Sequence, residues 1–403
     1  MAITQRTATQ STRTSAHYRP ALDGLRGVAI AGVLLFHTGH LPGGFLGVDL
    51  FFVLSGYLIT GLLLRELRTR GTISLASFWG RRARRLLPAL AVMLAIVTLT
   101  VWAMGPADLL RSTLSDGPWV QLNLVNWHLL AESASYWDRF GQERVFAHLW
   151  SIAVEEQFYL AWPVIVLLVT RSPRRSHLRV ATAAVVISLL ALVLMVTLAD
   201  PIDPTRVYTG TDTRAFSLLL GAAAATDGVR SVLLRLPRPV RSGVPLVLMA
   251  GLGAAWAVVD GVVSPWLFTG GLFLHSLCCA ALIAWCADHP GSRVSMVLSW
   301  WPLRRLGEVS YSLYLWHWPV IVLLSPEATG LHGWAWTAVV AAVSIALAAA
   351  STHLVENPVR FRAGWARGRR GLLAAVVTMA ALAALWLALP GPATQIVDVT
   401  RLG

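Results

Sequence analysis

Residues 179–199 read Arg179-Val-Ala-Thr-Ala-Ala-Val-Val-Ile-Ser-Leu-Leu-Ala-Leu-Val-Leu-Met-Val-Thr-Leu-Ala199, with no charge after the opening arginine. A helix needs about 20 apolar residues to cross the hydrocarbon core of a bilayer, and this run supplies them. Ten more stretches compete for the same reading: roughly 22–40, 45–64, 86–105, 149–169, 213–227, 244–260, 266–286, 308–325, 334–354 and 370–389. Backbone amides in lipid must be satisfied within a helix or a closed barrel, and runs this long and continuous choose helices. The sequence therefore predicts an all-α, polytopic integral membrane bundle of about 10–11 transmembrane helices. The stretch holding Arg26 and the short 213–227 run are its weakest members.

Composition agrees. Of the 403 residues, 56% are hydrophobic and 13% charged, against about 25% charged in soluble domains. The chain has no lysine, so all 33 basic residues are arginine. With the N-terminus inside and the spans alternating, 27 of the 33 arginines fall on the cytoplasmic side. The positive-inside rule requires such an asymmetry. It predicts a bacterial inner-membrane protein with a cytoplasmic N-terminus and an extracytoplasmic C-terminus. The basic excess is spent on orientation between spans, which argues against nucleic acid as a partner. Cys278, Cys279 and Cys286 share one apolar stretch without metal-ligand spacing, so neither a disulfide framework nor a metal site is expected.

Three segments follow: a disordered cytoplasmic tail over 1–18, a transmembrane domain over 19–360, and over 361–403 an additional helix with a short extracytoplasmic tail. The outer loop 106–148 is polar, aromatic and long for a connector. It is expected to cover a site facing that side.

Charged and histidine side chains inside spans mark function by default. The first span runs from Arg26 to His37. Eleven positions is about three turns, which puts both side chains near one face and roughly 16 Å apart. The next carries Asp49, Ser55 and Tyr57. A basic run follows at Arg81, Arg82, Arg84 and Arg85, ahead of Pro88. Another helix opens on His148-Leu-Trp150-Ser151 and continues to Glu155 and Tyr159, with His148, Ser151 and Glu155 on one face. A later one carries Tyr311, Tyr314 and His317, and Thr211-Asp212-Thr-Arg214 opens the short sixth span.

These strings, in this order, resemble the acyltransferase family 3 membrane proteins, which include O-antigen and peptidoglycan O-acetylases and macrolide acyltransferases. The first helix matches the family's Arg-x10-His element, and the resemblance covers about residues 18–360. It implies transfer of an acyl group, usually acetyl, from cytoplasmic acyl-CoA to a hydroxyl of a sugar, glycan or glycosylated natural product. No soluble hydrolase signature follows the last helix, so the fused extracytoplasmic esterase-like domain of many members is not expected.

In that frame a poorly acidic alcohol needs a general base, most often histidine. His37 is the candidate, as base or transient acyl carrier, with Glu155 or Asp49 fixing its tautomer. Arginine forks match phosphate, so Arg26, Arg81, Arg82, Arg84 and Arg85, with Ser55 and Tyr57, are the candidates for acetyl-CoA or another acyl-CoA. His148, Trp150, Tyr311, Tyr314, His317 and Arg214 are the acceptor-side candidates. The expected partners are acyl-CoA, the acceptor and the lipid bilayer, and homo-oligomerisation is left open. Two other functional classes stay open: a transporter or flippase using His37, Asp49 and Glu155 as a proton relay, and a non-enzymatic assembly factor.

Overall fold

The computed structural model describes residues 19–137, 144–170, 176–235, 238–261 and 264–391. The predicted tail 1–18 and the last residues of the predicted extracytoplasmic tail lie outside these. The described chain is all helix, without strands. Each of the eleven predicted spans falls on a helix. Those used below are α1 (Pro20–His37), α2 (Gly47–Arg70), α3 (Leu75–Met104), α4 (Ala107–Gln121), α5 (Val125–Ala131), α6 (Trp150–Val169), α7 (Ser176–Leu198), α8 (Thr211–Ala224), α9 (Arg238–Val258), α10 (Gly271–Asp288), α11 (Ser310–Leu323), α12 (Gly333–Ala350) and α13 (Gly368–Ala388).

Eight segments among the described residues are long and apolar enough to cross a membrane. The other three predicted spans are shorter: the apolar part of α9 over Gly243–Val258, α8 and α11. Fourteen residues make about 21 Å of helix, less than the roughly 30 Å hydrocarbon thickness. Both α8 and α11 are almost wholly buried, so each is surrounded by protein where it falls short of the membrane surface.

Close backbone approach sets this interior. A Cβ added at Gly56 on α2 would overlap the Leu218 carbonyl of α8, and one at Gly221 on α8 would overlap the Val53 carbonyl of α2. Small residues of this kind let helices associate in lipid, where no hydrophobic force separates helix from solvent. α1 is seated the same way on the helix Trp301–Glu308, through Gly27 against the Leu303 carbonyl and Gly307 against that of Asp23. α13 lies at the periphery, with only Leu382 and Trp386 buried. Its Trp386 indole donates to Gln121 Oε1 at 2.9 Å, which ties it to α4.

The expected outer loop is largely ordered as α4 and α5, followed by a short 3-10 turn at Ala147–Leu149 that leads into α6. The basic run 81–85 is part of α3 rather than of a connector. Helical spacing therefore divides its arginines between faces. α12 continues into wider π-type turns over Ser351–Glu356 and Pro358–Arg362. Such turns frequently mark functional positions, and this one delivers Glu356.

Candidate active site

α1 carries Arg26 near one end and His37 as its last residue. At the His37 end three histidines meet. His37 Nδ1 lies 3.2 Å from His317 Nε2, and the His148 and His317 rings are 5.3 Å apart, edge to face. His317 Nδ1 sits 2.7 Å from the Tyr314 carbonyl. A carbonyl only accepts, so Nδ1 of His317 holds the proton and its Nε2 holds a lone pair. His37 Nδ1 must then donate to that lone pair, which leaves His37 Nε2 as the ring's basic nitrogen. His317 and the Val33 backbone are thus the groups that face the His37 ring, where the sequence suggested Glu155 or Asp49.

The remaining polar groups form a file along α6. Tyr314 donates its hydroxyl to the His148 carbonyl at 3.0 Å and lies 2.6 Å from Ser151 Oγ. One turn further, Glu155 accepts hydrogen bonds from Ser55 and from Tyr159. From His148 to Glu155 is seven residues, about 10 Å along the axis. His148 is 2% exposed, and neither of its ring nitrogens has a hydrogen-bond partner at normal geometry. The Tyr314 and Leu315 backbone groups lie within weaker reach of the ring, and a buried polar group without a full partner costs up to about 1–3 kcal/mol, so this loosely held ring beside His37 marks where a hydroxyl-bearing ligand would be received.

The Glu155 end of the file opens toward arginine. The Arg82 guanidinium lies over the Tyr159 ring at 5.2 Å. Arg26 is within electrostatic reach of Glu155, Tyr159 and Arg85. Arg26 and Arg85 also line a cleft of about 880 Å³ together with Arg19, Arg65, Arg305 and Arg360. Three acids face the six arginines there: Glu356 takes Arg85 at 3.9 Å and Arg360 at 3.5 Å, Glu308 takes Arg305 at 2.9 Å, and Asp23 lies within electrostatic reach of Arg26. Such a cleft can hold a polyphosphate, with the charge-assisted bonds that arginine forks give.

Several predicted residues are placed elsewhere. Asp49 is fully buried, 2.8 Å from Arg214 Nη2, and accepts from Ser217 and Ser276 at 2.9 and 3.1 Å. Asp49 and Arg214 therefore neutralise one another between α2, α8 and α10, away from His37. Arg214 is 0% exposed and walled by Phe52, Tyr208 and Phe216, which corrects its expected acceptor role. Trp150 is 1% exposed and packs on Phe52, Tyr136 and Tyr208, so it too is core. Arg81 reaches back to Glu66 at 3.2 Å and Arg84 to the Ala366 carbonyl at 3.5 Å, leaving Arg82 and Arg85 toward the site. Tyr311 donates to the Leu86 carbonyl at 2.9 Å. Tyr57 accepts from Arg19 at 3.0 Å. Asp212 pairs with Arg206 at 2.7 Å.

Sequence reasoning misses four contributors. Tyr159 and Glu356 are aromatic and acidic residues in apolar runs, a signal that could have been read. Trp318 packs on His37 at 4.8 Å and donates its indole N–H to the Arg144 carbonyl at 2.8 Å. Arg144 in turn bridges Asp116 on α4 at 2.7 Å and Glu132, just past α5, at 2.6 Å, while His128 sits 3.2 Å from Asp116. Nothing local announces that clamp. Burial pushes the Asp116 carboxyl above its ordinary value against the pull of Arg144, whereas the hydrogen bond from Arg144 holds Glu132 below its own. Asp116, His128 and Glu132 have ligand atoms within 4.8 Å of one another, but Arg144 already occupies the space between the two carboxylates.

A family model described as an acyltransferase domain matches residues 19–353. YrhL of Bacillus subtilis (strain 168) is 39% identical over 356 residues, covering 85% of this chain and 55% of that protein. The peptidoglycan O-acetyltransferase OatA of Listeria monocytogenes serovar 1/2a is 37% identical over 362 residues, covering 87% and 57%. The O-acetyltransferase OatA of Staphylococcus aureus (strain NCTC 8325 / PS 47) is 36% identical over 319 residues, covering 77% and 52%. The chain thus spans about half the length of the curated relatives it matches. No solved structure matches it.

Proposed function

The chain belongs to the acyltransferase family whose domain model covers residues 19–353, and from that premise we propose that it is a membrane-embedded O-acyltransferase. It moves an acyl group, acetyl first of all, from acyl-CoA to a hydroxyl of a sugar, a glycan or a glycosylated natural product. Relatives named peptidoglycan O-acetyltransferase make a cell-wall glycan the first acceptor to try. The observation that carries the reading is a series of polar side chains between a six-arginine cleft and His37: Glu155 with Ser55 and Tyr159, then Ser151 with Tyr314, then His317 against His37.

In this reading the donor's phosphates sit on the arginine face and its thioester arm extends along the file. The acceptor arrives from the His37 end, where the His148 ring has no partner at normal geometry. His37 Nε2 takes the hydroxyl proton while the oxygen attacks the thioester carbonyl. The carbon–sulfur bond then breaks, the ester forms, and the proton passes to the departing thiolate. A positioned general base contributes about 10²–10⁴-fold. A proton-relay transporter would need Asp49 on the same file, and Asp49 is committed to Arg214.

The test is acetyl transfer by the purified protein. Acetyl-CoA labelled in the acetyl group is supplied with candidate glycans, and acetylated product is read by mass spectrometry. The His37→Ala protein should fold and bind donor yet lose at least about 10²-fold in transfer rate. Wild-type rates in that variant would sink the assignment of the base.

A further inference from the structure

Beside the main cleft lies a second pocket of about 400 Å³. The two share Arg19, Leu58 and Arg65 as a common wall, so they lie side by side. One stripe of α2 lines it at positions 57, 58, 61, 62, 65 and 68, the spacing of a single helical face. A Cβ at Gly61 would meet nothing within 4 Å, so the pocket floor is open space there.

Two of the three arginines in this pocket are uncommitted. Glu66, one residue from Arg65 but on another face, is taken by Arg70 and Arg81. Arg65 and Arg68 have no side-chain hydrogen bond or ion pair among the described residues. Among the described residues Arg19 is held by the Tyr57 hydroxyl, at 3.0 Å, with its guanidinium 5.9 Å from the ring centre. Of the pocket's acids, Asp227 pairs with His177 at 3.3 Å, and Asp288 is engaged by a partner of its own. Two free guanidiniums and a third steered by a phenol, around a hollow of this size, have the chemistry of a phosphate monoester site.

We infer that this second pocket is a phosphate subsite that receives the nucleotide end of the donor, with Arg68 and Arg65 on the ribose 3′-phosphate of acyl-CoA. The inference rests on the donor reading above and deepens it. The pyrophosphate occupies the larger cleft near Arg26 and Arg85. The adenosine end turns over the Arg19–Arg65 wall, and its terminal phosphate meets Arg68. Tyr57 then acts on the donor indirectly, by fixing the Arg19 fork.

Titration calorimetry of CoA and of 3′-dephospho-CoA, on the detergent-purified full chain, tests this. The wild type should bind CoA about tenfold more tightly, which is about 1.4 kcal/mol. Arg68→Gln should weaken CoA by that factor and leave 3′-dephospho-CoA unchanged, and Gly61→Phe, which fills the hollow, should do the same. Equal binding of the two ligands by the wild type overturns the subsite and leaves the donor reading standing. Binding of neither overturns the donor reading and the subsite with it. An anionic lipid headgroup carries the same phosphate chemistry. If short-chain phosphatidylglycerol raises the melting temperature of the wild type but not of Arg68→Gln, while both keep the tenfold CoA preference, the pocket belongs to lipid and the inference fails.

Discussion

Trp318→Phe would keep an aromatic ring against His37 but delete the indole N–H that holds the Arg144 carbonyl. A small misplacement of a catalytic group is costly to rate and cheap for binding. The variant should therefore lose about tenfold in kcat while its affinity for the donor stays within twofold. An equal loss in both would make Trp318 a structural residue. Residue by residue, the sequence placed His37 and Arg26 on one helix, where spacing alone sets their relation. It could not locate the partner of His37, since His317 lies 280 positions away. For the same reason Asp49 was legible as an unusual acid, but Arg214 was not legible as its counter-ion.

Helices meet at two kinds of contact, and each makes its own prediction. Gly56 brings α2 against the α8 backbone, and a branched side chain cannot fit without parting the two. Gly56→Val should cost several kcal/mol, in the range of severe core overpacking, and should show as loss of the monodisperse protein in fluorescence size-exclusion chromatography. Normal yield and melting temperature would mean that the two helices can separate. The second contact is the clamp of Asp116, Arg144 and Glu132. Asp116 is 0% exposed, so Arg144→Ala leaves a buried acid with only His128 beside it among the described residues and should lower stability by about 3 kcal/mol. Glu132 adds a pH dependence of known sign. Its folded pKa lies below the ordinary 4.5 because Arg144 donates to it. Its contribution is therefore present above 4.5 and disappears as pH falls through the lowered value. Melting curves of Glu132→Gln should lack that acid limb. Helix existence was readable from apolar run length. The split of Arg81–Arg85 was not, because faces are assigned only once α3 begins at Leu75.

The alternation of spans expected from the sequence would divide the arginines by side, and it makes a topological prediction. In a cysteine-free background, a cysteine at Ala107 should react with a membrane-impermeant maleimide added to intact cells. One at Ala363 should react only after permeabilisation. The reverse pattern would turn the molecule over and place the arginine cleft on the side away from acyl-CoA. The membrane class and the helical fold were legible in the sequence alone. Each depends on local quantities: run length, the absence of charge within a run, and the cost of an unsatisfied amide in lipid. What only the tertiary structure decided is which polar side chains share a space. Arg26 and Arg85 flank one cleft, His148 and His317 gather at His37, and Asp49 is withdrawn into an ion pair. Those pairings join segments separated by tens to hundreds of residues, and they follow from glycine-mediated helix approach, which composition and periodicity do not encode.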